Sequence, residues 1–479
     1  MAVAQIEPRA ARVNLEAPAG IGRPVLLCLF VIALMTPVIL NIGPFAFTPS
    51  RLFVLLVFFP VVGLWLSGRA GPVRLLDFTL IFAASWAALS VIVIHGVAKG
   101  YERAGFIFLE MVGGYFFGRT AIRSAKDFNT YMKFAMGALI FMLPLGILET
   151  RTGEPLIIDI LSRFIESDRA VDNDMRLGLH RAQVIFPHPI LYGVFCAAML
   201  GPVARGLNYG TGMFRSMARI GLVAGNTFCS VSSGAWLMFL VQAAFLIYDR
   251  VLRSVSRRWL LWFIAVGSLY LLVEVAANSS PFKVFVRYFT LNSASGFYRI
   301  AQFDAAMVNI LDNPIFGRAF NGWVRPRWMI PSIDNYWLVL TVRHGLPMFF
   351  VFLGGILVTM YRMGRLRLSD PLVSEIRAGY LIGLGGFLLA VVTVHVWSNV
   401  NVWFMFFLGS GMWLFDAERR TEDDPVPETG QGGGAPSTGK ARTEKAADVE
   451  PSPVQSRYSR FPARPKTPGR SVGRRRRDR

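Results

Sequence analysis

Long apolar runs follow one another over the first 415 residues of the chain, separated by short polar stretches. A perpendicular bilayer crossing needs about 20 apolar residues, and on that basis the pattern predicts about twelve spans. They fall at 24–43, 52–68, 75–95, 104–118, 132–149, 188–204, 218–231, 234–249, 259–277, 345–361, 378–396 and 399–415. Several are short, and the pair 218–231 and 234–249 reads either as two spans or as one tilted or broken helix. Two longer polar segments, 150–187 and 278–344, interrupt the series. Within the second, Phe297 to Ile310 repeats apolar residues at helical spacing and predicts a helix lying at the surface. Asp312-Asn313-Pro314 stops it, because the residue before a proline disfavours helical geometry. Tyr336 to Val342 is too short to cross and predicts a surface or re-entrant helix leading into Arg343-His344-Gly345. The expected fold is an all-α polytopic membrane domain over 24–415, with an N-terminal segment 1–23 before it and a tail 416–479 after it.

Composition agrees with a membrane chain: 53% of the 479 residues are hydrophobic, with 39 Phe and 11 Trp to cover lipid-facing and interfacial surface. The first run does not read as a cleaved signal peptide, since no small-residue cleavage site follows it and further spans come at once. The net charge of +20 would fit nucleic acid in another chain. Here the basic residues sit in short loops between spans (Arg69 and Arg74; Arg119 and Arg123; Arg205, Arg215 and Arg219; Arg250 to Arg258; Arg362 to Arg367) and in the last 29 residues. The alternate loops, 44–50 and 397–398, carry none. This positive-inside bias predicts both termini in the cytoplasm, an even number of spans, and the segments 150–187 and 278–344 outside; nucleic acid is not an expected partner.

From Asp416 the character changes. Residues 421–479 are rich in Pro, Gly, Ser and charge, the signature of disorder. The last 29 residues hold ten basic side chains against one acidic. They read as a solubilising tail or as a segment resting on anionic phospholipid at the cytoplasmic surface.

Three cysteines in apolar runs give neither a disulfide framework nor a metal cluster. The five histidines show no metal-ligand spacing, and no nucleotide-binding fingerprint is present, so no metal or cofactor is expected. What remains is a set of charged residues beside the two outer polar islands, 180–189 and 313–336: Arg181, His188, Arg299, Arg318, Arg325, Arg327, Asp334, Arg343 and His344. A guanidinium matches phosphate bidentately, so two or three converging arginines make a diphosphate site. Asp334 is placed to accept a proton from a hydroxyl nucleophile. Taken singly, each arginine also fits an interfacial anchor or a loop ion pair, and His188, between two prolines, fits a helix cap. A transporter is the reading from a different class. Transporters place ionisable groups near the midplane, whereas here the mid-span positions are almost all apolar and the charge clusters lie at the ends; Asp77 and Glu110 are exceptions, with no charged partner evident along the chain.

Arg181 to Gly193 (RAQVIFPHPILYG), Ser232-Ser233-Gly234-Ala235-Trp236, Tyr298-Arg299 followed by Asn313-Pro314-Ile315-Phe316-Gly317, and Asp334-Asn335-Tyr336-Trp337-Leu338 followed by Gly345 occur in that order. In this the chain resembles the bacterial O-antigen ligase and polymerase superfamily, including exopolysaccharide polymerases. The resemblance covers about 180–360, the earlier spans by hydropathy alone and the tail not at all. It implies a bacterial inner-membrane glycosyltransferase, independent of metal and nucleotide sugar, with a large periplasmic loop late in the chain. The implied reaction is polymerisation of undecaprenyl-diphosphate-linked repeat units, with ligation of the glycan to lipid A–core as the alternative and polysaccharide-related transport as a second. A flippase and a chain-length regulator are the implied protein partners. Carried onto this sequence, Asp334, Arg181 and Arg299 are the expected catalytic residues. Arg318, Arg325, Arg327, Asn335, Arg343 and His344 are the expected substrate-binding ones. Two positions depart from the pattern: Ser233 stands where many members have arginine, and Asp334 where ligases carry histidine. The second departure favours a polymerase.

Overall fold

A computed structural model describes residues 22–43, 45–168, 175–276, 284 and 293–423. Most of the N-terminal segment, residues 169–174, 277–283 and 285–292 and the tail beyond 423 therefore lie outside the described residues, and with them the expectation of a disordered, lipid-binding tail.

The protein is a mostly helical, multi-pass membrane protein; among the described residues nine helical segments are long and apolar enough to cross a bilayer. In chain order the helices are α1 (Gly22–Met35), α2 (Pro49–Leu66), α3 (Leu75–His95), α4 (Val97–Phe108), α5 (Gly114–Ala121), α6 (Ala125–Thr152), α7 (Leu156–Ser162), α8 (Pro189–Ala198) and α9 (Met213–Cys229). They continue with α10 (Ser233–Val251), α11 (Arg258–Ala276), α12 (Ser293–Asp312), α13 (Tyr336–Gly364), α14 (Pro371–Ala390), α15 (Ser398–Ser410) and α16 (Leu414–Asp423). Every expected apolar run falls on a helix, and three of them are the shorter or interrupted ones. The first run gives α1 of only 14 residues, because Pro37 has no amide hydrogen to continue the ladder. The chain turns instead into a small antiparallel hairpin, β1 (Leu40–Ile42) with β2 (Phe45–Phe47). The fourth run is α4 and α5 joined through a π-turn at Leu109–Gly113. The seventh is α9, separated from α10 by a break at Val231 (φ 41°), so the ambiguous pair is two helices. The surface helix expected over 297–310 is α12. The short helix at 336–342 is the first part of α13, which breaks at Gly345 (φ 81°, ψ 174°) before crossing.

Lipid tails do not drive apolar helices together, so close approach of small residues has to. Gly114 and Gly118, spaced four apart on α5, sit against the backbone of Val402 and Phe406 on α15, while Gly409 returns the contact against Tyr115. Gly379 and Gly383 on α14 lie in the same way against Gly201, three residues past the end of α8. At these points a methyl group would collide with main chain.

Asp77 and Glu110 have partners that the linear sequence hides. Asp77, fully buried on α3, meets Arg119 of α5 at 3.1 Å, and its oxygens also accept from Tyr115 Oη (2.5 Å) and Trp65 Nε1 (3.1 Å). Glu110, in the π-turn, accepts from Arg51 Nε at 2.5 Å and from Asn401 Nδ2 at 3.1 Å. The basic loops are partly neutralised as well. Arg74 and Arg123 converge on Asp416 at 2.6 and 2.9 Å, and Arg205 and Arg258 on Asp249 at 2.9 and 2.7 Å.

Breaking the Asp77–Arg119 pair leaves a guanidinium in an apolar interior, which costs about 3–5 kcal/mol. Asp77→Ala is therefore expected to lower the melting temperature in detergent sharply, and Asp77→Ala with Arg119→Met to recover much of the loss. Tryptophan fluorescence on heating reads both; an unchanged melting temperature for Asp77→Ala would remove the pair from any role in stability.

Candidate functional site

The irregular pieces of chain collect at one end of the bundle. Residues 180–189 run from the end of α6 to the start of α8 and are clamped on both sides. The Glu149 carboxylate, buried at the end of α6, accepts from the amides of Gln183 and Val184, both at 2.8 Å. The amide of His180 donates to the Thr150 carbonyl at 3.1 Å and that of Ala182 to the Cys229 carbonyl at 3.0 Å. This grip holds Val184, a β-branched residue, at φ 57°, a conformation such residues avoid unless their surroundings impose it. His188 then caps α8, its Nδ1 accepting from the Ile190 amide at 3.1 Å, as expected of a polar residue between prolines.

The second outer segment builds a small core of its own: Ala306 and Ile310 of α12 pack with Trp323, Met329, Ile333, Leu338, Val339 and Val342. Polar contacts fix the loop to α12. Gln302 donates to the Ser332 carbonyl at 2.8 Å and accepts from the Asp334 amide at 3.3 Å, while Tyr298 Oη accepts from the Ile330 amide at 2.8 Å. Asn335 caps α13, accepting from the Leu338 amide at 3.0 Å. The Tyr336 amide ties that helix to the chain leaving α14 through the carbonyls of Val391 (2.9 Å) and Val394 (3.2 Å).

Between these two segments lies a cavity of about 300 Å³ lined by Arg176, Ile190, Ser232, Ser233, Gly234, Tyr298, Arg299, Asp334 and Val394. The first residues of the 19-residue α10 open onto it, and unpaired amides at a helix start favour an anion. Asp334 feels three guanidinium groups, Arg299, Arg181 and Arg176, although burial outweighs them and pushes its carboxyl above the usual range. Burial also pulls the Arg299 guanidinium down, with Asp334 opposing. Its Nε is buried with no hydrogen-bond partner among the described residues. An anion with its own hydroxyl-bearing neighbour would find here cationic donors on one side and a carboxylate on the other.

Of the expected catalytic residues, Asp334 and Arg299 line the cavity, and Arg181 lies within electrostatic reach of both Asp334 and His188. The six expected substrate-binding residues stand elsewhere. Asn335 is the cap just described, and Arg325 braces its own loop through the carbonyl of Met329 at 2.9 Å. Arg327 is exposed. Arg343 stacks over the Phe320 ring at 5.0 Å, His344 Nδ1 meets Ser90 Oγ at 2.7 Å, and the Arg318 amide donates to the Val342 carbonyl at 2.8 Å. These last three bind the loop 313–320 onto α3 and the break at Gly345. Sequence reasoning missed Arg176. It is held by a tight turn in which Arg176 and Leu179 exchange backbone hydrogen bonds at 2.9 and 3.0 Å, with Leu177 and Gly178 both at positive φ. An arginine beside a glycine turn just ahead of His180-Arg181 was the available signal. Among the described residues no three His, Cys, Asp or Glu side chains gather as metal ligands.

No protein-family model matches the chain, and no curated protein is significantly similar to it.

Two half-buried histidines flank this site, His188 and His395, their rings 5.7 and 5.4 Å from that of Trp397. Burial first, then Arg181 and Arg176, lowers His188 to about 4; burial, then Arg343, lowers His395 to about 3. An unfolded histidine titrates near 6.5, so between that pH and about 4 the unfolded chain binds protons that the folded one refuses. Stability is therefore full above pH 6.5 and falls as the pH drops towards 4. Melting temperatures measured across this range should slope less steeply for His188→Asn with His395→Gln than for the native protein. Equal slopes would show that neither ring is held neutral by the fold.

Proposed function

We propose that the cavity at the start of α10 binds the diphosphate of an undecaprenyl-diphosphate-linked glycan, and that the protein polymerises lipid-linked repeat units at the periplasmic face of a bacterial inner membrane. The observation that carries this reading is the gathering of Arg176, Arg181 and Arg299 around Asp334, beside a helix start and at the end of a membrane bundle. In the proposed step Asp334 takes the proton of the acceptor sugar's hydroxyl, whose oxygen attacks the anomeric carbon of the donor. The bond from that carbon to the diphosphate oxygen breaks, and undecaprenyl diphosphate leaves with its charge met by the arginines. Ser233, at the cavity wall, stands where an additional phosphate-binding side chain would fit. Arg318, Arg343 and His344 support the loop that carries this platform, while Arg325 and Arg327 lie on the side from which an acceptor would approach.

The same reading counts α1, α4 with α5, and α9 as crossings, which makes twelve, with both termini in the cytoplasm and the cavity end outside. A flippase would deliver the substrate and a chain-length regulator would set the product, and genes for both are expected near this one.

Losing one charged hydrogen-bond set in the transition state costs about 2–4 kcal/mol, roughly 30–1000-fold in rate. Arg299→Ala and Asp334→Asn are expected to lose polymer yield on that scale at matched membrane abundance, and Arg181→Lys to lose more than a charge count implies, because the planar fork is gone. Arg327→Ala should lose little. Chain-length analysis of the deletion strain tests the reaction itself: single lipid-linked repeat units accumulate if a polymerase is missing, and long lipid-linked chains if a ligase is. Wild-type yield from both Arg299→Ala and Asp334→Asn would place the chemistry elsewhere.

Cysteine accessibility checks the orientation independently. A cysteine at Ser332 should react from the periplasm and one at Ser452 only after permeabilisation; the reverse labelling would leave the cavity facing away from its donor.

A further inference from the structure

At the opposite end of the bundle lies a cavity of about 540 Å³, lined by residues from the start of α3, the last turns of α13 and the first turns of α16. Its wall has two characters. Arg74, Arg362 and Arg365 supply three guanidinium groups, against the single carboxylate of Glu418; Val73, Leu75, Leu366 and Phe415 supply an apolar floor. Two of the three cations, Arg362 and Arg365, form no ion pair among the described residues. Arg74 reaches Asp416 through Nη2 at 2.6 Å, yet its Nε is buried with no hydrogen-bond partner among the described residues. Arg365 is steered by Tyr361, donating to its Oη at 2.6 Å and stacking 5.6 Å from its ring. The exposed Arg362 makes no side-chain hydrogen bond or ion pair among the described residues. Glu418 is itself engaged, accepting from the Arg367 amide at 2.7 Å.

The surface that continues from the cavity is apolar and uncovered. On α3, Leu75, Phe78 and Phe82 are 40%, 61% and 41% exposed at helical spacing; on α13, Leu357, Val358 and Tyr361 are 50%, 43% and 63% exposed. The two helices lie in direct contact, Gly355 of α13 against Thr79 of α3. Both apolar stripes therefore lead from the arginines towards the middle of the bilayer. A soluble phosphate would use the cations and leave the stripes and the apolar floor idle, whereas a lipid uses all three at once.

We propose that this cavity binds the phosphate headgroup of an anionic phospholipid, with the acyl chains lying along α3 and α13. The guanidinium groups of Arg362 and Arg365 take the phosphate, Arg74 closes the inner wall from its place on Asp416, and Phe415 packs under the glycerol. The site is distinct from the cavity at α10 and does not depend on what that cavity binds.

The test titrates the full-length protein in detergent with phosphatidylglycerol and counts bound lipid by native mass spectrometry. One equivalent should be retained, and phosphatidylcholine at the same concentration should not compete. Arg362→Ala with Arg365→Ala should weaken retention about 30-fold, from roughly fivefold per basic residue at a membrane surface. Arg362→Lys with Arg365→Lys should recover most of it, and both variants should melt with the native protein, since these side chains are exposed. Equal retention by the alanine pair, or equal retention of phosphatidylcholine, would overturn the site. Displacement of phosphatidylglycerol by millimolar inorganic phosphate would assign the cations to a soluble anion and overturn the lipid.

Discussion

In hydrocarbon every backbone amide and carbonyl must find a partner within the protein, and non-helical chain survives only where protein buries it. This constraint organises the molecule. The breaks at Val184, Val231 and Gly345 fall at the same end of the bundle, and polar groups from other helices or loops meet the chain at each. Glu149 holds the amides of Gln183 and Val184. Trp86 Nε1 donates to the carbonyls of Ile315 and His344 at 3.1 and 3.2 Å. Asn399 donates to the Leu34 carbonyl at 2.9 Å, where α1 gives out. The candidate site is a consequence: chain that has left the helical ladder, already supplied with buried polar groups, is where a polar ligand can be met without dragging charge through lipid.

The buried ions follow a related logic. A lone carboxylate in a span is expensive, and Asp77 and Glu110 are each surrounded by donors from other helices. The π-turn that carries Glu110 widens its helix by one residue and puts the carboxylate between Arg51 and Asn401. Asn401 in turn accepts from Tyr336 Oη at 3.0 Å, two residues past Asp334. The packed interior thus reaches to within two residues of Asp334 through a hydrogen-bonded chain.

Much of the architecture was legible because hydropathy and length are local properties. The runs, the surface helix at α12, its stop at Pro314, the short helix before Gly345 and the cap at His188 all follow from neighbouring residues. The pairing of Asp77 with Arg119, and the service Glu149 gives to Val184, depend on which helices touch, and no spacing along the chain reveals that. The site divides in the same way. Asp334 and Arg299 were singled out and do share a cavity, whereas Asn335, Arg343 and His344 turn out to be occupied in holding the loop, which Arg318 joins through its backbone amide. Charge near an island marks a region; only geometry separates the groups that face a cavity from those that fasten its walls. Arg176 escaped notice because its position rests on a turn.

The order in which the chain is made adds one more dimension. Arg74 precedes its partner Asp416 by 342 residues, and the loose end of α1 waits for Asn399 across 365. At an elongation rate of 5–20 residues per second the first of these waits lasts roughly 17–70 seconds. For that time the early helices sit in the membrane with a charge unanswered and a carbonyl unpaired, and water or lipid headgroups must stand in. Synthesis of the final two helices then supplies both missing partners.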